Sequence, residues 1–215
     1  TVLEENGISK DEINYIRNSV KVIIDAYTGD VTYNRTDKTD PIAMVYEKIY
    51  PDLFSKEEIP EQISDHFVYP EYLYNIQAKV LKRYHNIQPD VLYRGDDVWD
   101  IATHNASSKV SSTKGTEISP YYTMVKTTDS TTSRLGLVIP FTPYEKQNVT
   151  AYLVGSTDEG GNNVLKLYNY PTDSNVLGPM QLDTQLGQDE TIAKEIENLN
   201  VSGTKLSKDI IIVPI

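Results

Sequence analysis

A chain of 215 residues with 39% hydrophobic side chains is long enough to bury a core, and its length suits one domain or two small lobes. Its 31 acidic residues outnumber 20 scattered basic ones for a net charge of -11, which excludes a nucleic-acid partner, because phosphate contacts need clustered Lys and Arg. The absence of cysteine excludes disulfides, thiolate nucleophiles and Cys-ligated metals, and no run approaches the roughly 18 apolar residues of a membrane-spanning helix.

In chain order, Ser9 to Glu12 reads as a capping box opening a short helix whose buried face would be Ile13 and Ile16. From Ser19 the period becomes two. Val20, Val22, Ile24 and Ala26 alternate with Lys21, Asp25 and Tyr27, and Thr28-Gly29 can turn the chain into Asp30 to Asn34, predicting a β-hairpin. Asp40-Pro41 is a cap followed by a proline at the first helical position, and Ile42, Val45 and Ile49 carry helical spacing until Pro51. Ser55 to Glu58 repeats the capping-box pattern, with a short helix expected over Pro60 to His66.

The clearest helix is predicted from Pro70 to Tyr84, with Leu73, Ile76, Val80 and Tyr84 as its apolar stripe. Pro89 starts one or two further turns, and DDVWDIA is read as a last short helix anchored by Trp99, with Asp96 as N-cap and Asp97 in the first turn. Residues 103 to 117 are small, polar and aperiodic, a loop or linker that divides the single domain into candidate sub-lobes 1–102 and 118–215. Beyond it, strands are expected at Tyr121 to Lys126, Leu135 to Phe141, Val149 to Val154, Val164 to Tyr170, Met180 to Leu186 and Ile210 to Ile215, with one helix at Asp189 to Leu199. Helices gather in the N-terminal half. The expected fold is therefore α+β, with a largely antiparallel sheet built by the C-terminal half plus the N-terminal hairpin.

The dinucleotide, nucleotide, zinc-peptidase and serine-hydrolase motifs are absent, so no catalytic residue, metal ligand or cofactor is assigned. Polar and aromatic groups concentrate at the ends of predicted helices, which marks His66, Tyr69, His85, Arg94, Asp97 and Trp99 as the candidate ligand-binding residues. Helix capping by Asp96 and Asp97 accounts for much of that cluster without any ligand. Asp158 to Asn163 carries oxygen ligands and glycines but lacks the order of a calcium loop, and a hairpin turn explains it.

Several blocks carry a family likeness: NYIRNSVKVIIDAYTGDVTY (14 to 33), DPIAMVYEKIYPDLF (40 to 54), HFVYPEYLYNIQAKVLKRYH (66 to 85), the segment from Val91 to Trp99, PYYTMV (120 to 125), IPFTP (139 to 143), GPMQ (178 to 181) and the terminal IVPI. Together they resemble the C-terminal extracytoplasmic part of the uncharacterised protein family 0182, large bacterial membrane proteins. The resemblance implies about seven transmembrane helices N-terminal to a long extracytoplasmic region, and no established activity. The chain departs from that pattern at NLNVSGTKL and at Leu177, which precedes Gly178. DAYTGDV is also similar to a turn of a small extracytoplasmic inhibitory module found beside peptidases, although turn chemistry alone dictates those residues.

The start at Thr1 and the apolar end IIIVPI fit a piece of something longer. The expected protein is a non-catalytic extracytoplasmic domain on the outer face of a bacterial cell membrane, anchored through transmembrane helices that this segment lacks. Its expected partners are the membrane-embedded remainder of the same polypeptide and an envelope protein, peptide or glycan. The alternative is a carboxylate-dependent hydrolase of envelope glycan or peptide, which needs a cleft holding a carboxyl of raised pKa.

Overall fold

The computed structural model describes residues 15–104, 115–126, 132–158, 161–171, 173–200 and 210–212. The protein is α+β, and its strands pair antiparallel wherever their register is defined. It divides into two compact units, Thr1–Leu73 with Thr157–Val164, and Tyr74–Ser156 with Leu165–Ile215.

In the first unit, β1 (Val20–Ile24) pairs with β2 (Val31–Arg35), placing Val22 opposite Tyr33 and Ile24 opposite Val31. The turn between them is built by Asp25, whose carboxylate accepts the amides of Tyr27 at 2.7 Å and Thr28 at 2.9 Å. Gly29 then takes φ 78°, a left-handed conformation that a side chain would oppose. Helix α1 (Pro41–Ile49) starts as its sequence demands: Asp40 accepts the Ile42 amide at 2.9 Å, and Pro41 fills the position whose amide would be orphaned anyway. Hydrogen bonds from the Ser19 and Tyr15 hydroxyls to the same carboxylate tie the helix start to the irregular segment that leads into β1.

Two early expectations are revised here. Tyr15 to Ser19 is irregular rather than helical, and the Ser9 box lies outside the described residues. Ser55 caps no helix over its own box; its Oγ accepts the Glu57 amide at 3.1 Å, and helix α2 (Glu61–Ser64) begins only after Pro60.

Helix α3 (Glu71–Tyr84) continues into the second unit. Its buried residues are Tyr74 and Ala78; of the expected stripe, Leu73 and Ile76 are half-buried and Val80 and Tyr84 are exposed. Tyr74 sinks because its ring is apolar and its hydroxyl finds the Leu153 carbonyl at 2.7 Å, while Ala78 permits close approach. Helix α4 (Pro89–Arg94) ends at Gly95.

The segment read as a helix around Trp99 is strand β3 (Trp99–Ile101), which pairs with the long strand β7 (Arg134–Pro143). Alternation decided it: Trp99 and Ile101 are buried on either side of a half-buried Asp100. Strands β4 (Thr103–His104) and β5 (Thr116–Glu117) pair across the ends of the polar stretch. The main sheet runs β3, β7 (Arg134–Pro143), β8 (Ala151–Thr157), β9 (Asn163–Asn169), and β6 (Tyr121–Val125) shares one edge of β7 with β3.

Register sorts the core into two faces. Leu137, Ile139, Phe141, Ala151 and Leu153 lie on one; Val138, Pro140, Tyr152 and Val154 lie on the other. The second face gathers Val125, Val149, Tyr121, Tyr168, Tyr170, Val176 and Ile212. Tyr121 donates to the Ile212 carbonyl, although Ile210 to Ile212 lie outside every described strand and 213–215 are not described.

The stretch Met180 to Leu186, expected as a strand, is helix α5 (Pro179–Gln188). The GPMQ motif explains it. Pro179 occupies the first turn, the Gln181 side chain accepts the Gly178 amide at 2.9 Å, and a Cβ on Gly178 would sit 1.8 Å from the Gln147 carbonyl oxygen. Helix α6 (Glu190–Asn200) follows, capped by Asp189, whose carboxylate accepts the amides of Thr191 and Ile192 at 3.0 Å each.

Candidate functional site

The end of α3 and strand β3 bring together three of the six candidate residues, His85, Asp97 and Trp99. The His85 ring stacks on Trp99 with centroids 3.5 Å apart and planes 12° from parallel, and Trp99 in turn meets Phe141 at 5.6 Å. Nδ1 of His85 lies 2.9 Å from the Leu81 carbonyl, and Nε2 lies 3.1 Å from the Asp97 carboxylate, which Asn86 also reaches at 3.1 Å. Burial would push the Asp97 carboxyl up, but the hydrogen bonds from Asn86 and His85 prevail and hold it below its ordinary range.

Nearby, Lys82 bridges Asp100 at 3.0 Å and Glu117 at 3.4 Å. Burial alone would lower its pKa, yet the two carboxylates outweigh burial and raise it.

Chemically this is a clamp. Each imidazole nitrogen lies within hydrogen-bonding distance of an oxygen of the protein, the side chain is only 5% exposed, and the ring faces Trp99, so the group fastens α3 to the sheet. Arg94 is turned to its neighbour Asp96 at 2.7 Å in an exposed ion pair. His66 and Tyr69 belong to the first unit: His66 is exposed at the end of α2, and Tyr69 is buried, which pushes its hydroxyl up. Four carboxyls, Asp25, Asp37, Asp40 and Asp97, are held below their ordinary range, chiefly by hydrogen bonds, opposite to what a general acid needs. In the β8–β9 turn, the Asp158 carboxylate accepts the Asn162 amide at 2.8 Å, the role of a turn cap.

A second surface was missed from sequence. In α1 the residues Ile42, Val45, Tyr46 and Ile49, spaced as one stripe, are each about half exposed, at 48%, 53%, 50% and 59%, while Ala43 is the buried position. Glu47, one turn beyond Ala43, pairs with Arg35 of β2 at 3.0 Å. The helix thus turns its small and charged side inward and its apolar stripe outward. The hairpin does the same: Val22, Ile24, Val31 and Tyr33 share an exposed face, whereas Asn34 is buried and its register partner Lys21 lies 5.1 Å over the Phe67 ring. The alternation and the helical spacing mark both faces in the sequence, but neither says whether the face is covered.

Comparison with known proteins places the chain. The profile of an uncharacterised protein family, UPF0182, matches residues 3–199. Proteins of that name from Caldicellulosiruptor saccharolyticus, Microcystis aeruginosa and Desulfitobacterium hafniense are 40%, 38% and 35% identical over 92%, 96% and 95% of the chain. The chain spans about one fifth of their length, 21%, 21% and 22% respectively. No solved structure matches it. The chain belongs to the uncharacterised protein family UPF0182.

Proposed function

We propose that this chain is a non-catalytic assembly module, held outside the bacterial cell membrane, whose exposed apolar face in the first unit is covered by the rest of a longer family polypeptide. The observation that carries the reading is the outward stripe of α1, Ile42, Val45, Tyr46 and Ile49, together with the outward face of β1 and β2. Large half-exposed apolar groups in such number on one compact unit are the mark of a surface that packs against something. The covering material is the remaining four fifths of the relatives' length, and its membrane-embedded character and the extracytoplasmic side are part of the proposal.

The module reading fits the rest of the molecule. His85 and Trp99 are spent on holding α3 to the sheet, and the family motif GPMQ on starting α5. The hydrolase alternative gains nothing from Asp40 and Asp97, whose carboxyls are held below their ordinary range.

The test is reassembly in trans. The 215-residue chain is mixed with the remainder of a full-length family polypeptide in detergent, with wild type expected to co-purify and a Val45→Glu, Ile49→Glu variant expected to lose the partner while keeping its thermal transition. Equal capture of both forms would sink the proposal. A membrane-impermeant label that fails to reach the chain in intact cells would contradict the extracytoplasmic placement.

A further inference from the structure

The two strands of the first unit's hairpin differ at their outer edges. Thr36 donates its amide to the Ser19 carbonyl at 2.9 Å and Asp25 its amide to the Asp30 carbonyl at 3.0 Å, so Lys21 and Ile23 between them turn their backbone groups to β2. Val20, Val22 and Ile24 then turn theirs away, as Val31, Tyr33 and Arg35 do on β2. The outer edge of β2 is met at its centre within the chain, where the Ser55 amide donates to the Tyr33 carbonyl at 2.8 Å. Along β1, among the described residues, no hydrogen bond reaches the outward amides and carbonyls of Val20, Val22 and Ile24.

An open edge is ready to pair, and native sheets blunt theirs with a proline, a bulge or an outward charge. β1 has none of these. Its sequence VKVII lacks proline, its register with β2 runs unbroken from Val20 to Ile24, and its one charge, Lys21, lies over the Phe67 ring on the inner face.

We infer that β1 takes up an added β-strand, an extended segment of the rest of the longer family polypeptide; this rests on the covered face proposed above and names how it is covered. Strand addition satisfies the outward backbone groups of β1 and lays alternate side chains of the segment beside Val22 and Ile24, which are 51% and 64% exposed. The segment's chemistry follows. It matches the 5 residues of β1 and is apolar at alternate positions. Lys21 makes no ion pair among the described residues, so an acidic side chain suits the position beside it. The remaining four fifths of the relatives' length supplies the strand, whereas a second copy of this chain would bring its own net charge of -11 against the first.

The experiment is residue-resolved hydrogen exchange on the 215-residue chain alone and within a full-length family polypeptide. Alone, the amides of Val22 and Ile24 are expected to exchange fast and that of Ile23, inside the ladder, slowly. In the full-length polypeptide Val22 and Ile24 are expected to slow at least about tenfold. Val22→Pro removes the outward N–H and leaves the bonds between β1 and β2 in place, whereas Val22→Ala keeps that N–H. In capture by the remainder of the polypeptide, the proline variant is expected to bind at least about tenfold more weakly than the alanine variant. The inference is overturned if the Val22 and Ile24 amides are already slow in the chain alone, whether its own residues or a second copy close the edge. Equal capture of the two variants overturns it as well, and so do amides that stay fast in the full-length polypeptide. In that last case, protection of the thiol placed by Val45→Cys would leave the covered face standing and remove only the added strand; an unprotected thiol would remove both.

Discussion

Strands β7 and β8 and the pair β1–β2 with α1 are similarly rich in apolar side chains but meet opposite fates. Every residue from Gly136 to Thr142 and from Ala151 to Thr157 is buried, so both faces of that part of the sheet are covered. In the first unit, Val22, Ile24, Val31, Tyr33 and the α1 stripe stay in the open, and the helix is seated instead through Ala43, the Asp40 cap and the Arg35–Glu47 pair. The difference teaches that amphipathic spacing identifies a face without saying what covers it. A core face is closed by this chain's own elements; an outward one asks for a partner.

That contrast can be broken by substitution. Phe141→Ala, at a side chain with no exposure, should cost about 4 kcal/mol in denaturant unfolding, because the sheet cannot collapse into the void. Gly178→Ala should cost up to about 3 kcal/mol, since its Cβ would land 1.8 Å from a backbone oxygen and the start of α5 must move.

Alkaline titration should also act on the second unit. Burial pushes the Tyr121 hydroxyl up to about 12, with its bond to Ile212 opposing only in part, and burial raises Tyr152 as well. A raised folded pKa means the unfolded chain loses its proton first. Stability is therefore fully present below pH 10 and declines as pH climbs from there through about 12, and Tyr121→Phe should flatten the decline. An unchanged slope in that variant would show that Tyr121 is not the titrating group.

The smallest effect is expected on α1. Val45→Gln with Ile49→Gln should change unfolding free energy by no more than about 0.5 kcal/mol and improve solubility. A loss as large as that at Phe141 would mean the stripe is already covered within this chain.

Much of the architecture could be read from the residues. The hairpin, the Asp40-Pro41 start of α1, the four strands from Tyr121 onward and the helix after Asp189 follow from turn chemistry, capping and period. The errors have physical causes. DDVWDIA offered acidic caps, but three residues of alternating burial beside a long strand pair with it more readily than they nucleate a helix. Met180 to Leu186 alternates in places, yet Gly178, Pro179 and Gln181 commit the chain to a helix before that alternation can count. In α3 the period was right and the phase wrong, because Tyr74 and Ala78 outrank the aliphatics once one has a buried hydroxyl partner and the other allows contact.

The candidate site was less legible. His85, Asp97 and Trp99 do converge, but sequence could not show that both His85 nitrogens are occupied, since the Leu81 carbonyl partner is a matter of helix geometry. Nor could it reveal the outward stripe of α1, because a covered stripe and an open one have the same spacing.

The most direct test of the account is solvent access at Val45. The chain has no cysteine, so Val45→Cys places a single thiol on the exposed stripe, and its alkylation can be followed by peptide mass spectrometry. The account predicts rapid modification in the 215-residue chain and strong protection at the same residue within a full-length family polypeptide. Equal rates in the two would contradict it.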